Sequence, residues 1–509
     1  MKLALGIDVG TSGSRALLVD ASGKLVAQAT RPHASSHPRP AWSEQDPAEW
    51  WTAASAAAKA SLNAARAKPS DVAAVGLSGQ MHGLVLLDDK CEIVRPAILW
   101  NDQRSAVECT ELEDAIGRKQ LLGVGCNPML PGFTAPKIAW VAKHEPENLR
   151  RARHVLLPKD YVRWKLTGEF ATDVSDASGM LLMDIARRNY SPMLLSAVGI
   201  TESLLPKVYE SPEVTGRVTL EAARATGLAE GTPVVGGAGD QAAAAVGNGI
   251  VTGGAVSATI GTSGVVFAAT DAPLVDSPLG RVHTFCHAVP GKWHIMGVVL
   301  AAGGSLQWVR NNLAEAEKAE AEKRGLDVYE ILSEKALAVP AGSEGLIFLP
   351  YLTGERSPIN DPYARAAFVG LTARHTKAHL TRAAVEGATF AMRDCLEVVR
   401  ELGGDVKEIR LSGGGAVSPL WRSVQAGVYG TAVSTLAVSE GSAYGAAILA
   451  MVGGKMYDSV ENACASVVKV TGSTEPDPKE KALYEKAFPV YRRLYRHLAG
   501  EFRILHDLA

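Results

Sequence analysis

Residues 6–13 read GIDVGTSG and residues 258–264 read ATIGTSG, so one Gly-Thr-Ser-Gly turn occurs twice, about half a chain apart. Each copy follows an apolar run and leads into another, ALLVD after the first and VVFAA after the second. Strand, tight turn and strand is the punctuation of a β-hairpin. A repeat at the head of each half points to a duplicated core. The repeat divides the chain at residues 1–247 and 248–509, with no linker composition to mark the join.

Outward from the two hairpins, helix and strand signals alternate, which argues for α/β layers. Helical patterns begin at DPAEWWTAAS (46–55) and at HLTRAAVEGA (379–388), and the stretch from Asp477 reads as a closing amphipathic helix that contains a proline. Strand-like runs lie at 72–79, 232–239, 344–352 and 406–415. The charge-dense segment 313–325 reads as the solvated face of a surface helix.

The 509 residues exceed what one hydrophobic core fills, since cores stop growing near about 250–300 residues. With a formal net charge of −2, the chain has no electrostatic footprint for nucleic acid or an anionic membrane. Its six cysteines are scattered without a CxxC pair, as expected of free thiols in a reducing cytoplasm. The uncharged stretch 241–270 is broken by six glycines and reads as buried strands, not as a span.

Glycines let backbone N–H groups approach an anion, and Thr and Ser hydroxyls add donors. The turns at Thr11, Ser12, Gly13 and at Gly261, Thr262, Ser263 are therefore expected to grip a polyphosphate from two sides. Aligned on the turn, Asp8 of the first copy faces Thr259 of the second, which leaves one carboxylate beside the phosphates as a Mg²⁺ candidate. In TPVVGGAGDQAAAAVG (232–247) a buried strand runs into Asp240 and an alanine-rich helix. The nominal dinucleotide fingerprint there is rejected, because no acidic residue follows the next strand. Asp240 is then either a simple helix-capping Asp or an ionised base that accepts a hydroxyl proton in phosphoryl transfer.

A third glycine turn, LSGGGAVSPLW (411–421), offers Gly414, Gly415 and Ser418 as a platform for a flat ligand, and no Walker pattern is present. Gln80-Met81-His82-Gly83 and Trp100-Asn101-Asp102-x-Arg104 follow apolar strands and suit a polyhydroxylated substrate. His283-x-x-Cys286-His287 invites a metal reading, but in a hairpin turning at Pro290-Gly291 the cysteine points away from the histidines.

These segments together resemble the carbohydrate kinases named after their Phe-Gly-Gly-Tyr motif, and among them the xylulokinases. The likeness runs in order through GIDVGTSG, WSEQDP (42–47), SGQMHG (78–83), RPAILWNDQR (95–104), MLPGFTAPKIAW (129–140), LLPKDY (156–161), the Asp240 segment, ATIGTSG, YLTGERSP (351–358), 366–386 and SGGGAVSPLW. The resemblance implies a two-lobed, actin-like and ribonuclease-H-related fold with ATP between the lobes. It also implies Asp240 as proton acceptor, an activity-critical, Mg²⁺-associated Asp8, and sugar contact at Met81 and His82. Gln241 stands where some relatives have Asn, which alters the reach of the amide. The expected reaction is phosphorylation of the 5-hydroxyl of D-xylulose, and the resemblance further implies a homodimer. Two alternatives stay open: a kinase for ribulose, glycerol or gluconate, and an actin-like ATPase that gates a protein partner.

Overall fold

A computed structural model describes residues 2–438 and 441–508. The first repeat folds as an antiparallel hairpin of Leu3–Val9 and Gly13–Asp20, closed by the Gly10 N–H donating to Gly13 O at 3.1 Å. The second copy is the hairpin Gly254–Ile260 with Gly264–Thr270, closed by Gly261 N–H to Ser263 O at 2.9 Å. Each hairpin gains an antiparallel third strand, Leu25–Pro32 in one half and Trp293–Val299 in the other. On the opposite edge each first strand pairs in parallel, with Val72–Gly79 and with Val406–Gly413. Further strands extend the sheets at Pro233–Val235 and Val214–Arg217, and at Val433–Leu436 and Val470–Thr474. The halves therefore share one strand order, the duplicated ribonuclease-H-like core expected from the paired turns. Even the registers correspond: Asp8 lies opposite Ser78, and Thr259 opposite Ser412.

One helix covers each sheet. Pro47–Ala65 starts at the Asp46 cap, which accepts from Ala48 N–H, and buries Trp50, Ala54, Ala57 and Ala58. Lys377–Glu401 is buried along most of its length against the second sheet. The charged segment forms the helix Glu315–Arg324, although Glu317 is only 5% exposed and pairs with Lys335 and Lys377. Pro489 lies inside the closing helix Pro478–Asp507. Among the described residues no helix is long and apolar enough to cross a membrane.

The helix Gly441–Gly453 belongs to the second half in sequence but packs on the first sheet. It approaches so closely that a Cβ on Gly6 would sit 2.0 Å from Ala443 O, and one on Gly76 2.0 Å from Ala446 O. It also crosses Asp240–Gly247, where a Cβ on Gly445 would stand 1.8 Å from Ala243 O. Side chains at these positions would force the helices apart. Glycine at residue 6 thus serves lobe-to-lobe packing as well as the strand that carries Asp8.

Candidate active site

Asp8 stands near the end of the Leu3–Val9 strand, and its Oδ2 accepts from Ser442 Oγ at 2.9 Å. The partner lies 434 residues away in sequence, at the start of the crossing helix. Asp8 Oδ1 is buried with no hydrogen-bond partner among the described residues. A buried carboxylate oxygen left unpaired is costly unless a cation or donor arrives. Desolvation raises the Asp8 pKa, while Ser442, Ser78 and Arg15 oppose the rise.

Asp240 is the first residue of the helix Asp240–Gly247, with Gly239 as the cap, so it is not the capping residue. Its pKa is raised to about 7, first by burial and then by the Asp8 carboxylate, against the Gln241 side-chain and backbone donors. Two carboxylates from the two ends of the first lobe therefore share one low-dielectric place. Met81 packs on the backbone just before Asp240: a Cβ on Gly239 would lie 2.8 Å from Met81 Cγ. His82, in the left-handed region at φ 69°, bonds through Nδ1 to Gly179 O at 2.7 Å, so Nδ1 carries the proton and Nε2 the lone pair. Burial depresses its pKa to about 3, and the nearby Lys137 and Arg356 cations add to that, so the ring is neutral.

A buried ionic cluster holds this arrangement. Lys159 Nζ lies 2.7 Å from Asp160, 3.0 Å from Asp173 and 3.5 Å from Asp176, all with fully buried side chains. The other oxygen of Asp173 accepts from Ser175 N–H and Oγ–H at 2.8 and 2.5 Å, and Ser175 Oγ accepts from Gly239 N–H at 3.2 Å. A chain of bonds thus runs from Lys159 to the residue preceding Asp240. LLPKDY marked this segment as family-like, but nothing local in it shows that Asp173 and Asp176 return to the same lysine.

The first turn is tied to the Trp100 segment. Trp100 Nε1–H donates to Thr11 Oγ1 at 3.1 Å, Thr11 Oγ1–H donates to Gln80 Oε1 at 3.3 Å, and Gln45 Nε2 donates to Thr11 O at 2.6 Å. Ser12 is exposed and Gly13 lies in the sheet. Asp102 and Arg104 need correction as direct sugar ligands. Asp102 is fully buried, accepting from Ser43 N–H and from the Arg104 guanidinium. Arg104 also pairs with Glu44 at 2.7 Å and stacks 3.6 Å from the centroid of Trp42. With their polar atoms so engaged, the two brace the strand ends and leave the sugar to others. Asn101 is exposed and lines a separate surface cavity with residues 37–43.

On the other side, Gly261, Thr262, Gly414, Gly415 and Ser418 line one cavity of about 850 Å³. Gly303, Gln307, Tyr329, Leu337 and Trp421 also line it, a mainly apolar slot whose polar groups include the Asp327, Glu330 and Glu334 carboxylates. Ser263 is exposed at the tip of the turn, outside the cavity lining. Thr11, Ser12 and Gly13 also lie outside that lining, on the first lobe. Gly303 and Gly304 donate to the Gly261 and Thr262 carbonyls at 3.0 and 2.9 Å, pinning the second turn. No local pattern marks Gln307 or Tyr329, which reach the slot from helices whose partners are non-local.

Residues 3–247 match the N-terminal domain of the FGGY family of carbohydrate kinases, and residues 256–454 match its C-terminal domain. The chain is 41% identical to the xylulose kinase of Escherichia coli K12 over 97% of this chain and 99% of that protein. It is 36% identical to the xylulose kinase of Bacillus subtilis 168, covering 98% and 97%. Among solved structures, a xylulose kinase from Rhodospirillum rubrum is 32% identical with a TM-score of 0.90, covering 98% of this chain and 100% of that one. With both family domains matched in order along the two lobes, the chain belongs to the FGGY family of carbohydrate kinases.

Proposed function

We propose that the protein transfers the γ-phosphoryl group of ATP to the 5-hydroxyl of D-xylulose, with lobes at 1–247 and 248–509 flanking the nucleotide. The observation that carries the reading is Asp240, a buried carboxylate coupled to that of Asp8, on a helix whose preceding residue, Gly239, packs on Met81. Asp240 takes the proton of the attacking hydroxyl as its oxygen bonds to phosphorus and the bond to the leaving ADP breaks. The slot at Gly414, Gly415 and Ser418 would take the adenosine, with the phosphates running toward Thr262 and Ser263 and facing Thr11, Ser12 and Gly13. Trp100, hydrogen-bonded to Thr11, couples the phosphate turn to the sugar side, and Gln241 orients Asp240.

Kinases of this family work with ATP and a divalent metal. The unpaired Asp8 Oδ1 fits Mg²⁺, a hard cation that takes one or two carboxylates and keeps several waters. When bound, Mg²⁺ supplies charge neutralisation for the phosphates. Asp8 holds it and Ser442 orients Asp8.

Because Asp240 must be ionised to accept a proton, kcat/KM for the sugar is expected to fall as pH drops through about 7. Removing the neighbouring negative charge in Asp8→Asn should shift this acid limb of the residual activity to lower pH. An unshifted limb would separate the two carboxylates electrostatically.

A second reading has support in a relative: the chain is 30% identical to a gluconokinase of Bacillus subtilis over 99% of its length. A coupled ADP-release assay with D-xylulose, ribulose, glycerol and gluconate decides between them. Highest kcat/KM on D-xylulose is the expected result. Preference for gluconate would replace the substrate, and ATP turnover indifferent to every sugar would point to the actin-like ATPase.

A further inference from the structure

Four rings from both lobes pack together beside Met81. His82 and Phe133 come from the first lobe, and His283 and Phe285 from the strand His283–Cys286 of the second. Phe133 meets His82 edge-on at 4.9 Å and His283 at 5.8 Å, and His283 stacks on Phe285 at 5.7 Å. His283 Nδ1 lies 3.0 Å from Asn127 Oδ1. The Asn127 amide donates to the Gly125 and Thr284 carbonyls at 2.9 and 2.7 Å, which identifies Oδ1 as the acceptor. His283 Nδ1 therefore carries the proton, and Nε2 keeps a lone pair with no partner among the described residues, as in His82.

Arg356, in the YLTGERSP segment, enters the same place from the second lobe. Its Nη2 would stand 3.4 Å from a Cβ on Gly132, next to the Trp100 carbonyl, and its charge is felt by both His82 and His283. Its guanidinium makes no hydrogen bond or ion pair with any described residue. Glu355, its neighbour in sequence, accepts through Oε1 from the backbone N–H groups of Leu300 and Arg356, and its charge acts on Arg356 through space without a direct ion pair. With no hydrogen bond to a described residue, the guanidinium keeps its donors for an acceptor from elsewhere.

We infer that His283 and Arg356 are sugar-contacting residues supplied by the second lobe, His283 accepting a substrate hydroxyl and Arg356 donating to the keto oxygen. The assignment rests on the proposed ketose reading and deepens it. A polyhydroxylated ketone has one oxygen that can only accept, and a guanidinium can only donate. Its hydroxyls can donate, and two neutral imidazoles present lone pairs to receive them. Since His82 and Arg356 sit on different lobes, the sugar that bridges them also favours the closed cleft that excludes water.

The test uses the full-length enzyme in the ADP-release assay with D-xylulose, its monodeoxy analogues and xylitol, in which the ketone is reduced to a hydroxyl. In Arg356→Met, KM for D-xylulose should rise roughly 10-fold or more, with KM for ATP within about twofold, since charge-assisted bonds are the strong ones. The variant should also lose the native preference for D-xylulose over xylitol. In His283→Phe the expected rise is about 3–10-fold, and one monodeoxy analogue should lose the penalty that it suffers with the native enzyme. A merely structural role would lower all sugars equally, and such uniform loss, or an unchanged KM, overturns the inference. If Arg356→Met does not fold, Arg356→Gln, whose amide both donates and accepts, gives the same readouts, and retained ketone discrimination there overturns the role of Arg356. Should the native enzyme itself prefer gluconate, the ketose reading fails, and the same variants on gluconate decide separately whether these residues touch the acceptor.

Discussion

Replacing Asp240 with Ala is expected to lower kcat by about 10²–10⁴-fold while KM for ATP stays within about twofold, measured by coupled ADP release at saturating sugar. The proton of the attacking hydroxyl has no other ionisable acceptor as well placed: Asp8 is bonded to Ser442, and His82 offers only a weakly basic lone pair. ATP binding should survive because the 850 Å³ slot is built from second-lobe residues and does not include Asp240. Near-normal turnover would remove Asp240 from the chemistry. Asp240→Asn adds an independent readout. The folded pKa of about 7 lies above the ordinary carboxylate value, so the stability tied to the protonated form is lost as pH rises from about 4 to 7. The amide escapes that loss. Its melting temperature should exceed the native one at pH 8 by an amount on the order of 1–3 kcal/mol in stability, a gap that closes on acidification. A base kept ready at a cost in folding energy is the expected pattern at an active site.

Lys159→Met should be the most destabilising single change away from the reacting atoms. It leaves Asp160, Asp173 and Asp176 fully buried without their shared cation. Removing one partner from such a cluster typically costs about 3–5 kcal/mol, roughly 10 °C in melting temperature. Asp176 is already pushed well above the usual carboxylate range by burial, with Lys159 pulling it back and three neighbouring carboxylates raising it further. Once the lysine is gone the Asp176 pKa climbs further, so stability must fall more steeply as pH rises. The variant should therefore recover part of its melting temperature between pH 8 and 6, where the native protein changes less. Asp160→Asn in the same background should restore part of the loss at pH 8. Because Asp173 holds Ser175 and Ser175 holds Gly239, kcat should also drop in whatever fraction folds. Equal stability of Lys159→Met and the native protein at pH 8 would show that water, not the lysine, compensates these carboxylates.

Much of the architecture was legible because it is local. Both GTSG hairpins, the Asp46-capped helix and the proline-containing closing helix follow from turn chemistry and periodicity over a few residues. Asp240 and Asp8 could be singled out because each stands where an apolar strand ends at a glycine turn. Asp102 and Arg104 were misread for the same reason. A charged residue after a strand looks available, whereas its lone pairs and donors are spent on Ser43, Glu44 and each other. Ser442, His283 and Arg356 were out of reach, since each acquires its meaning from residues one or several hundred positions away, and the Lys159 cluster because Asp173 and Asp176 return to the lysine only through the fold.

The repeat, its spacing and the strand patterns were enough to establish two matching α/β halves and the carboxylate on the first turn's strand. Period and turn chemistry are written in neighbouring residues, so no folded partner is needed to read them. Which charges are paired, which lone pairs are left over, and that a second-half helix packs within backbone contact of Gly6 and Gly76 depended on long-range packing. Burial and electrostatics act through space, and it is burial beside the Asp8 carboxylate, brought together by folding, that raises the Asp240 pKa to about 7.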